Sequence, residues 1–211
     1  MRAPARPGRA DGRLSVTAGG EIAGGELLRL AFRAMDTDIE ALVEVPPGRR
    51  RDAERLLAWT RDWFVLLERR LSRFRPDSDV TRMNRHAGAG PVRVGGLTAA
   101  ILARALDLAA WSGGLFDPAC QAAMEAAGYD RPYAELRGAR AGARRDAPGP
   151  RQEARPFLGS YRAVVLDRRA RTVQLPAGTG VDLGGIAKGW AADVAVRVLA
   201  TVGPALVNAG G

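Results

Sequence analysis

Hydrophobic positions along this 211-residue chain change their period several times, and each change predicts an element. Leu27 to Ala34 reads as a first strand. Ile39, Ala41, Val43 and Val45 then alternate with Glu40, Leu42 and Glu44, the mark of a partly buried second strand. Met35-Asp36-Thr37 joins the two, and Pro46-Pro47-Gly48 ends the pair. From Asp52 to Leu71 the period lengthens to three and four residues. Leu56, Trp59, Trp63, Leu66, Leu67 and Leu71 fall on one face, and Arg55, Arg61, Asp62, Glu68 and Arg69 mostly on the other. That pattern is an amphipathic helix, with both tryptophans expected in the core.

Beyond it, Leu71 to Asn84 is a polar loop broken by Pro76 that leads into a short turn, with Ser78 or Asp79 as helix cap. Thr98 to Trp111 is a second helix, with Ile101, Leu102, Ala105, Leu106 and Ala109 as its buried stripe, stopped by Gly113-Gly114. The next four residues, Leu115-Phe116-Asp117-Pro118, hold an acidic residue in extended geometry ahead of a proline. This is either a helix-exit turn with Phe116 packed inside or a rigidly aimed carboxylate. Periodicity is lost from Ala134 to Pro156, as in a linker or surface insertion. Tyr161 to Asp167 and Thr172 to Leu175 are two further strands joined by a turn, and Pro204 to Asn208 is the last.

One stretch stands apart. In Val181-Asp182-Leu183-Gly184-Gly185-Ile186-Ala187-Lys188-Gly189-Trp190, an apolar run feeds an acidic residue, a glycine turn and a helix from about Ile186 to Leu199. That order sets backbone N–H groups and the positive end of a helix dipole beside the turn. Lys188 is the only lysine of the chain, and a compact ammonium there suits a phosphate. A strand–turn–helix junction with a surface lysine has the same spacing, which is neither a P-loop nor a dinucleotide fingerprint.

Composition changes the picture mainly by exclusion. The net charge of +9 is carried by arginine, much of it between Arg2 and Arg13 and between Arg137 and Arg155. Without aromatic platforms or a recognition-helix pattern, these runs do not indicate a nucleic-acid interface. Residues 1 to 25 are rich in Arg, Gly and Ala and are expected to be a disordered tail. Cys120 and His86 are each the only residue of their type, so neither a disulfide nor a multi-histidine metal site forms within the chain. His86, in a loop among glycines, is given no catalytic role. No stretch reaches the length of a membrane span and no signal core precedes the first strand, so the expected location is the cytoplasm.

Four blocks in order resemble the FAD:protein FMN transferase (ApbE) family. They are Met35-Asp36-Thr37; Leu71-Ser72-Arg73-Phe74-Arg75-Pro76-Asp77-Ser78 through Asn84; Gly114-Leu115-Phe116-Asp117-Pro118; and Asp182 to Gly189 with Ala191-Ala192-Asp193, extended by Val207-Asn208-Ala209-Gly210-Gly211. The resemblance implies a mixed α/β (α+β) fold: antiparallel-rich sheets packed with helices, in two subdomains spanning residues 26 to 211 with an insertion near 134 to 156. It implies Mg²⁺-dependent transfer of FMN from FAD to a Thr or Ser hydroxyl of an acceptor flavoprotein, with release of AMP. FAD would be lined by Met35, Phe74, Leu115, Phe116, Asp117, Asp182 and Lys188, and the Gly185 carbonyl would be a magnesium ligand. No catalytic residue is assigned. Two departures stand out. Asp36 replaces a glycine usual in the family. The family's C-terminal portion, with a histidine-containing motif and side-chain magnesium ligands, does not appear after Gly211. The expectation is therefore a C-terminally truncated member, with an inactive FAD-binding module as the alternative. Members are often exported, and no such signal is read here.

Overall fold

The computed structural model describes residues 16–22, 24–132, 135 and 160–210. Its elements are β1 (Val16–Ile22), β2 (Gly25–Ala34), β3 (Thr37–Val45), α1 (Arg50–Leu71), α2 (Asp79–Arg85), β4 (Val92–Arg93), α3 (Gly96–Trp111), α4 (Gln121–Ala126), a 3-10 turn (Ser160–Ala163), β5 (Val165–Asp167), β6 (Thr172–Gln174), α5 (Gly184–Leu199) and β7 (Ala205–Ala209). The mixed α/β class with antiparallel sheets is as expected. The chain divides into two compact units, residues 1–65 with 191–211, and residues 66–190. No described helix is long and apolar enough to cross a membrane.

The first unit is built on an antiparallel sheet in the order β1-β2-β3-β7. Register sets Leu28 opposite Val43 and Leu30 opposite Ala41, while Val207 faces Ala41 from the other side. These residues share one face, as the two-residue period requires. With Val45, Ala53, Leu57, Leu199 and Val202 they form the core of this unit. The opposite face keeps its charges in water, where Arg29 pairs with Glu40 and Arg33 with Asp38 at 3.2 Å. Gly203 is obligatory, since a Cβ would lie 2.1 Å from the Glu44 carbonyl oxygen.

The tail expected through residue 25 is corrected in its last third. Residues 16–22 pair with β2 through a register shift between Ala18 and Gly20. Two glycines obscure the alternation, and the neighbouring strand supplies the hydrogen bonds that make the segment regular. Residues 1–15 lie outside the described residues, as does the expected insertion near 134–156 apart from Glu135.

Helix α1 buries a different stripe from the expected one. Ala53, Leu57, Thr60, Phe64, Leu67 and Leu71 are buried, whereas Trp59 and Leu66 are 37% and 42% exposed. The helix carries apolar residues on two adjoining faces, so periodicity admits both. In the first unit the choice follows Phe64, whose ring meets Phe32 edge-on with centroids 5.7 Å apart. Thr60 is satisfied by donating to the Leu56 carbonyl at 2.9 Å. Trp59 and Trp63, expected in the core, stack on each other at 5.7 Å, and the Trp63 indole N–H donates to the Ala191 carbonyl at 3.3 Å.

The second unit contains the antiparallel sheet β4-β6-β5 and helices α2, α3 and α4. Ser78, not Asp79, caps α2: its hydroxyl accepts from the Thr81 N–H at 3.0 Å. Asp79 is buried instead, accepting from the Thr98 hydroxyl at 2.7 Å, the Gly95 N–H at 3.1 Å and Arg82 at 2.6 Å. The strand expected from Tyr161 begins only at Val165, because Ser160–Ala163 closes into the 3-10 turn.

The tight connection between β2 and β3 bears on Asp36, where the resemblance implies a glycine. Met35 and Asp36 both have positive φ, 53° and 60°. A two-residue hairpin needs that conformation and favours glycine for it. Arg33 offsets part of the cost, holding the Asp36 carboxylate at 3.0 Å and the Asp36 carbonyl at 3.2 Å. Asp36→Gly exchanges left-handed strain for the loss of an exposed ion pair, so stability should change by no more than about 1 kcal/mol. Asp36→Val, β-branched at the same φ, should cost roughly 1–2 kcal/mol. Thermal melts of the two variants check both values.

Candidate functional site

The glycine turn is built from its flanks inward. Its approach segment, which belongs to no strand, is fixed by Asn84, whose amide pairs with both backbone polar groups of Val181. Asn84 Nδ2 donates to the Val181 carbonyl and the Val181 N–H donates to Asn84 Oδ1, both at 2.8 Å. The next residue is held from another side, since the Asp182 N–H donates to the Pro118 carbonyl at 2.8 Å. Just upstream, the Gln121 N–H donates to the Gly180 carbonyl at 3.1 Å. A Cβ on Gly180 would lie 2.2 Å from Gln121 Oε1 and 2.9 Å from its Cβ, so a larger residue would require the Gln121 side chain to shift. Two segments distant in sequence, one carrying Asn84 and one running from Pro118 to Gln121, therefore position the chain before α5 begins.

The Asp182 carboxylate is fully directed. Oδ1 accepts from the Gly184 N–H at 2.7 Å, satisfying one of the orphan donors at the start of α5. Oδ2 accepts from Arg73 Nε at 2.8 Å. The Arg73 side chain is 7% exposed, lies 3.8 Å from Glu125 and donates to the Tyr129 carbonyl. Its guanidinium carbon sits 4.1 Å from the centroid of the Phe74 ring, in cation–π geometry. Phe74 is itself 41% exposed.

Phe116 approaches the turn from the loop after α3. A Cβ on Gly185 would be 3.2 Å from its ring, so the glycine provides the room this ring occupies. The Phe116 N–H donates to the Ser112 hydroxyl at 3.1 Å. Asp117 accepts from the Ala119 N–H at 2.8 Å and from the Tyr161 N–H at 3.3 Å. The Asp117 carboxylate is thus held in place by two backbone N–H groups.

Of the residues singled out in the sequence, those in the second unit include Phe74, linked to Asp182 through Arg73, and Phe116, which lies against Gly185. Asp117 is next to Phe116 in the chain but bonds to Ala119 and Tyr161. Leu115 precedes Phe116 and is 97% exposed. Lys188 lies in the second turn of α5, half-buried, with no ion pair among the described residues. Met35 belongs to the first unit, at the β2–β3 hairpin. Sequence reasoning missed Arg73 and Asn84 as site-building residues. Both lie in a quoted block, but nothing local marks their partners about a hundred positions away. His86 is exposed at the end of α2, its Nδ1 3.0 Å from the Arg82 carbonyl oxygen.

Near the same turn, Cys120 has its thiol pushed up, first by burial and then by the Asp182 charge, with Arg73 pulling the other way. No group of three or more His, Cys, Asp or Glu suited to a metal ion occurs among the described residues. The carboxylates bonded nearest the turn, Asp117 and Asp182, are turned to backbone N–H groups and Arg73. The described residues therefore do not fit a magnesium site completed from their own side chains.

Among the described residues, the half-exposed Phe74 ring, the partly buried Phe116 ring and Lys188, which has no ion pair there, therefore lie on the segments that meet at or follow the start of α5. Comparison with known proteins gives the class. The ApbE family model matches residues 35–211, and the chain belongs to the ApbE family. It is 35% identical over 185 residues to the FAD:protein FMN transferase of Treponema pallidum (strain Nichols), covering 82% of this chain and 48% of that protein. The fold matches the ApbE protein of Thermotoga maritima MSB8 with a TM-score of 0.66 at 23% identity, over 88% of this chain and 57% of the other. It also matches the apo form of the Pseudomonas stutzeri flavinyl transferase ApbE, TM-score 0.67 at 20% identity, over 91% and 61% respectively. The chain thus spans about half the length of the curated relative it matches.

Two measurements check this geometry. Asn84→Ala leaves the N–H and C=O of Val181 without partners and should cost about 1–3 kcal/mol. Asn84→Asp should cost at least as much, because a carboxylate cannot donate to the Val181 carbonyl; urea unfolding compares the two. Cys120 should react slowly with iodoacetamide at neutral pH, since a raised thiol pKa leaves little thiolate below it. Its labelling rate should rise steeply when the protein is unfolded in urea.

Proposed function

We propose that this chain acts in transfer of FMN from FAD to a Ser or Thr hydroxyl of an acceptor flavoprotein, with AMP as the second product. The observation that carries the reading is the convergence of family blocks on one turn: Phe74 through Arg73 and Asp182, and Phe116 against Gly185. In this reading Phe74, Leu115 and Phe116, all of the second unit, offer apolar surface to the ring systems of FAD. The diphosphate faces the start of α5, where backbone N–H groups and Lys188 offset its charge. Asp117 and Asp182 hold the backbone on either side of the ligand.

The chemistry is displacement at phosphorus. The acceptor oxygen bonds to the FMN-side phosphorus, the bond from that phosphorus to the bridging oxygen breaks, and AMP leaves with the electron pair. Lys188 is the residue of this chain suited to charge building on the diphosphate oxygens. The hydroxyl proton needs a base, and none is assigned. Magnesium, with the Gly185 carbonyl as a ligand, belongs to this proposal by family resemblance and would supply further charge neutralisation; no step is routed through it. The partner is a protein presenting an accessible Ser or Thr.

Incubation with FAD, Mg²⁺ and an acceptor flavoprotein should leave covalent flavin fluorescence on the acceptor in a denaturing gel. FAD retained without transfer would support binding alone. Lys188→Ala should weaken FAD binding about ten- to a hundredfold, the 1.5–3 kcal/mol of a charge-assisted hydrogen bond. Lys188→Arg should recover only part, because a planar fork replaces a compact charge. Both variants should melt near the parent temperature. Equal FAD affinity in parent and Lys188→Ala, by fluorescence titration, would remove Lys188 from the site.

A further inference from the structure

We infer that Arg73 is the positioning residue of this site: it fixes the Asp182 carboxylate and the Phe74 ring with one guanidinium, and cancels the Asp182 charge where an anion is to bind. Each part rests on a contact. Nε holds Asp182 Oδ2 at 2.8 Å, and the guanidinium face lies 4.1 Å from the Phe74 centroid. One remaining nitrogen donates to the Tyr129 carbonyl, so the plane cannot turn about the Asp182 bond alone. The Arg73 backbone is pinned as well. Its carbonyl accepts from the Thr81 hydroxyl at 3.1 Å, and Thr81 is tied to the Ser78 cap at 3.1 Å. A side chain this buried, with its donors directed, loses little further entropy in holding its partners.

The electrostatic consequence is specific. Asp182 stands immediately before the turn that carries Gly184, Gly185 and Lys188. An uncompensated carboxylate there would repel a diphosphate and compete for the lysine. Paired with Arg73 at 7% and 16% side-chain exposure, its charge is locally neutralised. Lys188, without an ion pair among the described residues, then remains available to an anionic ligand. Arg73 thus acts on ligand binding through two other residues and has no need to touch the ligand. The ligand class, a flavin dinucleotide, rests on the function proposed above.

The test separates positioning from that function by using two readouts. Without ligand, hydrogen exchange of the Gly184 amide reports whether Asp182 stays in place, because that amide donates to Asp182 Oδ1. In Arg73→Ala this exchange should accelerate at least tenfold while the β2–β3 amides keep their protection, and Arg73→Lys should fall between. With FAD as probe, Arg73→Ala should lose about ten- to a hundredfold in affinity, with partial recovery in Arg73→Lys. Arg168→Ala, which removes an exposed pair with Asp107 at 2.9 Å, should change neither readout. If Arg73→Ala does not fold, Asp182→Asn carries the affinity test: with the ion pair gone it should bind FAD differently from the parent, and parent affinity would overturn the electrostatic role. Unchanged Gly184 exchange in a folded Arg73→Ala overturns the positioning role. A parent protein without FAD affinity overturns the flavin reading, while the exchange result still decides the role of Arg73.

Discussion

The two reciprocal hydrogen bonds between Asn84 and the backbone of Val181 are the constraint on which the candidate site depends. The irregular segment leading into the glycine turn has polar backbone groups to satisfy, and among the described residues Val181 belongs to neither sheet. A side-chain amide is the one uncharged group that can donate and accept along parallel lines. Asn84, presented by the short helix α2, therefore does the work of a strand. With Val181 fixed, the Asp182 N–H reaches Pro118 and its carboxylate reaches Arg73 and Gly184. Helix α5 then starts in a defined direction.

Helix α2 has seven residues, too short to be stable alone. It is held at its start by the Ser78 cap and by the buried Asp79, which ties it to Gly95 and Thr98 of the segment opening α3. Asp79 would be costly buried alone; here it accepts three hydrogen bonds, one of them from Arg82. The same polar loop that yields this helix also supplies Arg73 and Phe74. One segment thus contributes both the support of the glycine turn and the aromatic surface beside it.

The arginine-rich composition has a structural use in the described residues. Arg29 and Arg33 pair across the open face of the first sheet, and Arg33 stabilises a hairpin turn that lacks its usual glycine. These are exposed pairs, each worth little by itself. Arg73 differs by being buried, forked and bonded on several sides, where removal of a partner leaves a charge stranded. Among the described residues Lys188 takes no part in these pairs.

Local signals in the sequence determined most elements and the family. Alternation fixed β2 and β3, the three- and four-residue period fixed α1 and α3, and the glycine turn marked the start of α5, because these patterns depend on neighbours a few residues apart. Four short blocks carried the resemblance, and one of them holds the glycine that makes room for Phe116. Tertiary structure decided which of two apolar faces α1 buries, since both satisfy the period and only Phe32 and the sheet choose between them. It decided that residues 16–22 are a strand, whose regularity comes from pairing with β2. It also decided the partners of Arg73 and Asn84, which lie 109 and 97 positions away. Polar pairing has no period along the chain, so those partners become defined only when packing brings the segments together.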